Sequence, residues 1–185
     1  MIQTQLSSNN ASVFHVADIL MQGLEGIEIP RASITLDREI GQGEFGIVMH
    51  ALAVGIPATT EITSVAVKVL KKAVSENVSN NFVREGLRLR DLRHENVVLL
   101  LATCIASEPK MLVLEYMAHG DLKALLRQAK TESIPLTESH LLKFSVDVCS
   151  GFEYLRRKGF IHRDLAARNV WISGTFQAKI GDFGL

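Results

Sequence analysis

Three glycines in a short stretch, Gly41, Gly43 and Gly46, constrain the fold more than any other feature, because strand-like sequence flanks them on both sides. A G-x-G-x-x-G pattern alone is weak evidence, since it occurs in nucleotide sites of unrelated folds. In a dinucleotide-binding fold the third glycine opens a helix, whereas here residues 47–49 are apolar and predict a returning strand. The pattern therefore predicts a β-hairpin whose backbone amides can approach phosphates. It disfavours a dinucleotide-dependent oxidoreductase.

The next predicted strand, residues 62–70, carries a lysine with a potential partner further along the chain. Alternation along the strand places Lys68 on the face opposite three valines, next to Ala66. A helix predicted over residues 78–92 carries Glu85 inside its apolar stripe. An inward-facing carboxylate needs a cation, so we expect an ion pair between Glu85 and Lys68. Either side chain considered alone could instead reach water.

The remaining periodic segments predict two strands and two helices. The strands cover residues 97–105 and 110–115, a joint follows at residues 116–120, and a short helix covers residues 122–130. The longest helix starts after residues 135–137. Its predicted core stripe is Leu141, Phe144, Val148, Phe152 and Leu155.

A charged and amide-bearing loop at residues 160–169 follows that helix. Asp164 and Asn169 fit a loop in which a carboxylate accepts a proton from a substrate hydroxyl and an amide oxygen binds a divalent metal. A hairpin after the loop returns the chain, so Asp182 is expected close to Asn169, and oxygen ligands of this kind suit magnesium. The alternatives are a polar surface loop at residues 160–169 and an ordinary turn at residues 182–184.

Composition and charge exclude several classes of function. The 185 residues include 20 basic and 20 acidic side chains, and the longest basic cluster is residues 156–158, so no nucleic-acid partner is expected. No apolar stretch approaches the length of a membrane span, and the start lacks the features of a signal peptide, so we expect a cytoplasmic chain. Cys104 and Cys149 lie in apolar runs and are expected to be reduced core residues.

Five motifs stand in a fixed order that is far more specific than any one of them. They are the glycine hairpin with Val48, Val65-Ala66-Val67-Lys68, Glu85, His162-Arg163-Asp164 with Asn169, and Asp182-Phe183-Gly184. This set resembles a eukaryotic protein kinase domain. The resemblance implies an α+β, two-lobe fold with a five-stranded antiparallel N-lobe and one helix over residues 33–115. A hinge over residues 116–120 and an incomplete, mainly helical C-lobe over residues 121–185 are implied to follow.

The catalytic loop further resembles that of the tyrosine kinases. Serine/threonine kinases usually have a lysine two residues after the aspartate, whereas this chain has Ala166 there and Arg168 as the basic residue. Residues 1–32 form a lead-in with Val13, Val16, Leu20 and Leu24 at helical spacing, which could be a short docking helix or a flexible segment. Within it, residues 28–31 ahead of residues 34–36 are similar to the segment of receptor tyrosine kinases just inside the membrane. The resemblance implies ATP and Mg²⁺ as cofactors and a protein tyrosine as substrate. It also implies a parent receptor that could have a membrane span outside this chain.

The resemblance assigns a role to each site residue. The implied catalytic residues are Asp164, Lys68, Glu85 and Arg168. Asp164 would deprotonate a tyrosyl hydroxyl, and Lys68, paired with Glu85, would hold the ATP phosphates. The metal ligands would be Asn169 and Asp182. The implied nucleotide-binding residues are Gly41, Gly43, Gly46, Val48, Ala66, Lys68, Leu114, Glu115, Met117 and Trp171.

Two departures from the family pattern bear on activity. Trp171 stands where the family usually has a leucine beneath the adenine ring, and its indole could obstruct the site, stack on the purine or pack elsewhere; overpacking a formed cleft costs about 1–3 kcal/mol. The sequence stops at Leu185, before the family's activation loop and peptide platform, so we expect little or no peptide phosphorylation from this chain alone. A non-catalytic nucleotide-binding or interaction module is the alternative function.

Overall fold

In the computed structural model, the described residues are 20, 22–43, 46–57, 61–72, 74–131 and 135–181. They form seven β-strands and three α-helices. The chain divides into two compact units. The first comprises the residues up to Asp91 together with Leu100–Leu114, and the second comprises Leu92–Leu99 together with the residues from Glu115 onward.

The first unit is built on a five-stranded sheet. Its strands are β1 (Ile34–Gln42), β2 (Gly46–Ala53), β3 (Thr63–Leu70), β4 (Leu100–Cys104) and β5 (Met111–Glu115). They lie in the order β1-β2-β3-β5-β4, and antiparallel pairs join β1 to β2, β2 to β3 and β4 to β5. The β2–β3 register runs without a break from Gly46 opposite Leu70 to Ala53 opposite Thr63. The predicted five-stranded sheet is confirmed.

Strand alternation and one capped helix build the core of this unit. Val65, Val67 and Val69 are buried on one face of β3, as the period-two pattern predicts. Helix α1 (Glu76–Arg90) starts after Ser75, whose hydroxyl accepts a hydrogen bond from the Val78 backbone N–H. The core is formed by Ile29, Ile34, Ala51, Ala53, Ile56, Val65, Val67, Val69, Ala102, Cys104, Met111 and Val113.

The segment before β1 packs onto the same unit. Leu24 is fully buried, and a methyl group placed on Gly86 of α1 would lie 3.3 Å from its Cδ1 atom, so this leucine sits directly on the helix. The Glu28 carboxylate accepts hydrogen bonds from the Thr103 hydroxyl at 2.7 Å and from the Ile105 backbone N–H at 2.8 Å. Of the four residues predicted at helical spacing, Val13 and Val16 lie outside the described part of the chain.

The second unit is mainly helical. Helices α2 (Leu122–Thr131) and α3 (Glu138–Arg157) precede a short hairpin of β6 (Val170–Ile172) and β7 (Ala178–Ile180). Thr137 and His140 form a reciprocal cap at the start of α3, which satisfies backbone donors of the first turn. The core between these elements contains Leu125, Phe144, Val170, Ile172 and Ala178.

Three details differ from the expectations. Strand β4 starts at Leu100, because Val97 instead bridges to Ile180 in the second unit. Leu141 and Phe152 of the predicted α3 stripe are each 42% exposed, and Cys149 on the same helix is exposed instead of in the core. Among the described residues, no helix is long and apolar enough to cross a membrane.

Candidate functional site

The first unit contains the ion pair that the sequence predicts. Lys68 Nζ donates to both carboxylate oxygens of Glu85 at 2.7 Å. The side chains are only 27% and 13% exposed, respectively. Strand β3 turns Lys68 to the face opposite its buried valines, and α1 presents Glu85. Because removal of one partner leaves a poorly solvated charge, each side chain depends on the other.

The glycine hairpin separates into one packed position and two open ones. A methyl group on Gly46 would lie 2.7 Å from the Val69 carbonyl oxygen, so the close approach of β2 to β3 requires glycine there. Among the described residues, the nearest atoms to a methyl group on Gly41 or Gly43 would be 3.7 and 3.8 Å away, which is ordinary contact. Gly43 closes the turn by donating to the Gly46 carbonyl at 2.9 Å. Residues 44–45 lie outside the described part of the chain.

Two of the predicted nucleotide-binding residues share the face of the sheet that carries Lys68. Val48 on β2 lies directly opposite Lys68, and Ala66 precedes Lys68 by two residues on β3. Both are half-buried. Leu114, which is also half-buried, pairs with Leu100 between β5 and β4.

In the second unit, Asp164 is held by two neighbours from its own loop. Its Oδ1 accepts a hydrogen bond from Arg168 at 2.6 Å, and its Oδ2 accepts one from the Asn169 side-chain amide at 2.9 Å. The Asn169 hydrogen bond, followed by the hydrogen bond and charge of Arg168, holds the pKa of Asp164 below its ordinary value. The carboxylate is therefore ionised at neutral pH, and it stays accessible because the side chain is half exposed.

A buried histidine fixes the backbone of this loop. His162 is 1% exposed, and its Nδ1 accepts a hydrogen bond from the Asp164 backbone N–H at 3.3 Å. The proton of a neutral ring is then on Nε2, which lies 3.0 Å from the Gly181 carbonyl oxygen and donates to it. Arg163 between them has a φ of 64°, a left-handed conformation that is uncommon for a residue other than glycine. The loop is held in this turn by both hydrogen bonds.

The hairpin after the loop returns the chain to Asn169. The Gly181 backbone N–H donates to the Asn169 carbonyl oxygen at 2.9 Å, and Val170 lies opposite Ile180. The next residue, Asp182, lies outside the described residues. Asn169 Nδ2 donates to the Asp164 backbone carbonyl at 2.7 Å and to its carboxylate at 2.9 Å. The Asn169 side-chain oxygen is therefore the atom that fits a magnesium ion, since hard cations take amide oxygens.

Glu115 has a partner that the sequence does not reveal. Lys179 Nζ donates to its two carboxylate oxygens at 2.9 and 2.7 Å, with side-chain exposures of 13% for Lys179 and 21% for Glu115. The Leu99 backbone N–H also donates to this carboxylate at 2.8 Å. The only sequence signal for Lys179 is its position between two apolar residues of a short strand. Met117, predicted beside Glu115, is 7% exposed, and its carbonyl accepts a hydrogen bond from Gly120.

Trp171 packs against the backbone that precedes Asp182. It lies opposite Lys179 in the β6–β7 hairpin and is half-buried. A methyl group on Gly181 would lie 2.7 Å from Trp171 Cδ1 and 2.9 Å from Val98 Cγ2. The indole therefore uses the space that the missing side chain of Gly181 leaves open. This contact agrees with the packing interpretation for one edge of the ring.

Comparison with known proteins agrees with the geometry of both units. Residues 34–185 match the model of the protein tyrosine and serine/threonine kinase family. The chain belongs to this family. The earlier expectation of a protein kinase fold is confirmed, and the relatives described next support the tyrosine kinase class and its likeness to receptors.

Three relatives illustrate this likeness. The insulin-like growth factor 1 receptor of Bos taurus is 34% identical over 185 residues, which cover 97% of this chain and 29% of the receptor. The insulin receptor-related protein of Mus musculus is 37% identical over 85% of this chain and 13% of its own length. The BDNF/NT-3 growth factors receptor of Gallus gallus is 37% identical over 85% of this chain and 20% of its own length. The chain thus spans less than a third of each of these relatives.

Proposed function

We propose that this chain is the catalytic part of a protein tyrosine kinase, which transfers the γ-phosphoryl group of ATP to a tyrosine hydroxyl. The arrangement around Asp164 carries the proposal. An ionised carboxylate has about four lone-pair positions, and Arg168 and Asn169 each occupy one, so Asp164 can still accept a hydrogen bond from a substrate hydroxyl. Membership of the kinase family supports an enzyme over a module that only binds partners.

Asp164 is the residue that would orient and deprotonate the tyrosyl hydroxyl. Its two hydrogen bonds orient the carboxylate and keep it ionised. Asp164 would then accept the hydroxyl proton as the tyrosyl oxygen attacks the γ-phosphorus. Arg168 positions Asp164 and adds no contact to the nucleotide in this proposal. The basic residue at 168 and Ala166 at the position two after the aspartate favour tyrosine over serine as acceptor.

The nucleotide would be held mainly by charge and backbone. Lys68, kept in place by Glu85, supplies a positive charge for the ATP phosphates, and the open glycines Gly41 and Gly43 let backbone N–H groups approach them. The remaining proposed nucleotide contacts are Gly46, Val48, Ala66, Leu114, Glu115, Met117 and Trp171.

Asn169 and Asp182 would hold Mg²⁺, Asn169 through its side-chain oxygen. When bound, the metal neutralises charge on the phosphates of ATP. The Asp164–Asn169 hydrogen bond keeps the amide nitrogen turned away from that ion, which leaves the correct atom available as a ligand. Because ATP is an intracellular substrate, we place the reaction in the cytoplasm, with a protein tyrosine as the acceptor.

Nucleotide binding tests the proposed site. At an ATP concentration about 100-fold above Kd, binding should stabilise the chain by about 2.7 kcal/mol, which raises the melting temperature by several degrees. We expect this shift with Mg-ATP in the wild-type chain and in Asp164→Asn, and we expect its loss in Lys68→Ala. A shift that Lys68→Ala leaves unchanged would remove Lys68 from the phosphate site.

Phosphoryl transfer to a tyrosine peptide then separates a kinase from a binding module. The longest natural protein that contains this sequence should phosphorylate the peptide, and Asp164→Asn should reduce kcat by at least about 100-fold, the lower end of what a general base contributes. Mg-ATP binding without any transfer would favour the non-catalytic module. Equal transfer to serine and tyrosine peptides would contradict the assignment to the tyrosine class.

A further inference from the structure

Three polar side chains on neighbouring strands of the first unit form a hydrogen-bonded chain. His50 Nδ1 lies 2.9 Å from Asp37 Oδ2, and His50 Nε2 lies 2.7 Å from Ser64 Oγ. Strand β2 lies between β1 and β3, so His50 reaches one neighbour on each side. Ala51 and Ala53 of β2 are fully buried, which places His50 on the opposite face of the strand.

The charge on Asp37 determines how the histidine is protonated. The hydrogen bond from His50, assisted by the charge of Arg38, holds the pKa of Asp37 below its ordinary value. Asp37 is therefore an acceptor at neutral pH, and the proton of a neutral His50 ring is on Nδ1. The basic nitrogen, Nε2, then accepts the hydrogen bond from the Ser64 hydroxyl. Carboxylate, imidazole and hydroxyl are thus in the order that activates a serine.

We propose that Ser64 is a nucleophile that accepts an acyl group from activated esters, with His50 as its general base and Asp37 as a positioning residue. Exposure is consistent with this role. The Ser64 residue is exposed, whereas the His50 side chain is only 14% exposed and is held between its two partners. General-base assistance of this kind contributes about 10²–10⁴-fold to rate. The site uses none of the residues assigned to ATP or to tyrosine phosphorylation.

With p-nitrophenyl acetate as the acyl donor, each bond change is defined. Ser64 Oγ attacks the carbonyl carbon and forms a new C–O bond, while its proton moves to His50 Nε2. The bond between the acetyl carbon and the phenolic oxygen breaks, and p-nitrophenolate leaves with the electron pair. His50 then returns its proton to the phenolate or to water. The products are O-acetyl-Ser64 and p-nitrophenol, and no oxidant, reductant or metal is consumed.

The test is acetylation of the 185-residue chain, with peptide mass spectrometry to locate the acetyl group and absorbance to follow phenolate release. We expect Ser64 to acquire the acetyl group at least about tenfold faster than the exposed Ser107, a conservative part of the general-base effect. Ser64→Ala should abolish the fast phase of release. The matched control Ser107→Ala removes a different exposed hydroxyl and should leave the fast phase unchanged.

Two variants test the assigned roles. His50→Gln and Asp37→Asn should each slow Ser64 acetylation by at least about tenfold, because they remove the base or its orientation. Melting temperatures of both variants show whether the sheet is intact. Asp37→Asn is a nearly isosteric change, so it still provides the test if His50→Gln unfolds the chain. Acetylation of His50 or of lysines with none on Ser64 would overturn the proposal. So would a folded Asp37→Asn variant that labels Ser64 at the wild-type rate.

Discussion

Asp164 shows how a single residue can be prepared for its chemistry by neighbours within five positions. A lowered pKa means that the interactions favour the charged carboxylate, so their contribution to stability is present above the ordinary pKa of 3.8 and is lost as pH falls through the folded value. At neutral pH the group is ionised and its hydrogen bonds are complete. The largest cause of the shift is the Asn169 amide, ahead of Arg168.

We therefore predict that Asn169→Ala raises the pKa of Asp164 toward 3.8, with part of the lowering retained by Arg168. The measurement is a titration of the aspartate side-chain carboxyl carbons by NMR. Asp37 is an internal control, because its pKa is lowered by His50 on another element and should not move. An unchanged Asp164 pKa in a folded Asn169→Ala variant would assign the shift to a different cause.

At the same scale, sequence reasoning identified one ion pair and missed another. Glu85 lies in an apolar stripe, and the energetic need for a cation pointed to Lys68, which the structure places at 2.7 Å. Glu115 and Lys179 are 64 residues apart, and no pattern in the sequence around either residue predicts that they meet. Their contact depends on how two distant segments pack. Asp37, His50 and Ser64 escaped detection for the same reason, since their proximity depends on the pairing of three strands.

At the scale of secondary structure elements, helix α3 packs against the segment Leu92–Leu99 at Gly151, where only a glycine fits. A methyl group on Gly151 would lie 2.4 Å from the Asn96 carbonyl oxygen, and this carbonyl already accepts the Ile180 N–H. A backbone atom held in this way cannot rotate aside. The helix and the segment Leu92–Leu99 therefore meet at a position where alanine does not fit.

We predict that Gly151→Ala destabilises the chain by about 1–3 kcal/mol through overpacking, although alanine gains about 1 kcal/mol in helix propensity. The free energy of unfolding in urea measures the difference. Gly26→Ala is the control, because a methyl group there would meet no atom of the described residues within 4 Å. A Gly151→Ala variant as stable as the control would show that the segment at Asn96 can shift.

Element types were predictable from the sequence, whereas some boundaries and faces were not. Alternation identified β3, and residues 135–137 marked the start of α3, which begins at Glu138. The apolar stripe of α3 continued to Leu141 and Phe152 in the sequence, but packing in this chain covers Phe144 and Leu155 instead. Periodicity shows which residues share a helix face, and it does not show which of them a neighbouring element covers.

At the scale of the whole molecule, the segment before β1 contributes to the folded core of the first unit. None of the apolar side chains at Leu24, Ile27 and Ile29 is more than 9% exposed. Glu28 accepts a hydrogen bond from the Thr103 hydroxyl on the edge strand β4. The sequence left open whether this segment docks or is flexible. Residues 24–29 are docked, because their apolar side chains are buried in the first unit.

We predict that Leu24→Ala lowers the free energy of unfolding by about 2–5 kcal/mol, the range for a buried leucine that leaves a cavity. Leu142→Ala is the matched control, since that leucine is 68% exposed and its replacement should change stability by no more than about 0.5 kcal/mol. Thermal unfolding of both variants gives the comparison. Equal stability of the two variants would mean that the segment before β1 adds nothing to the folded unit.

The contact between Trp171 and Gly181 also gives the chain a built-in optical reporter. Trp171 is the sole tryptophan in the sequence, so all indole emission originates from one side chain. That side chain touches the backbone immediately before Asp182. Titration with Mg-ATP while the emission wavelength and intensity are recorded would therefore follow events at this position without any dye. A quencher such as acrylamide would measure how much of the ring a bound purine covers.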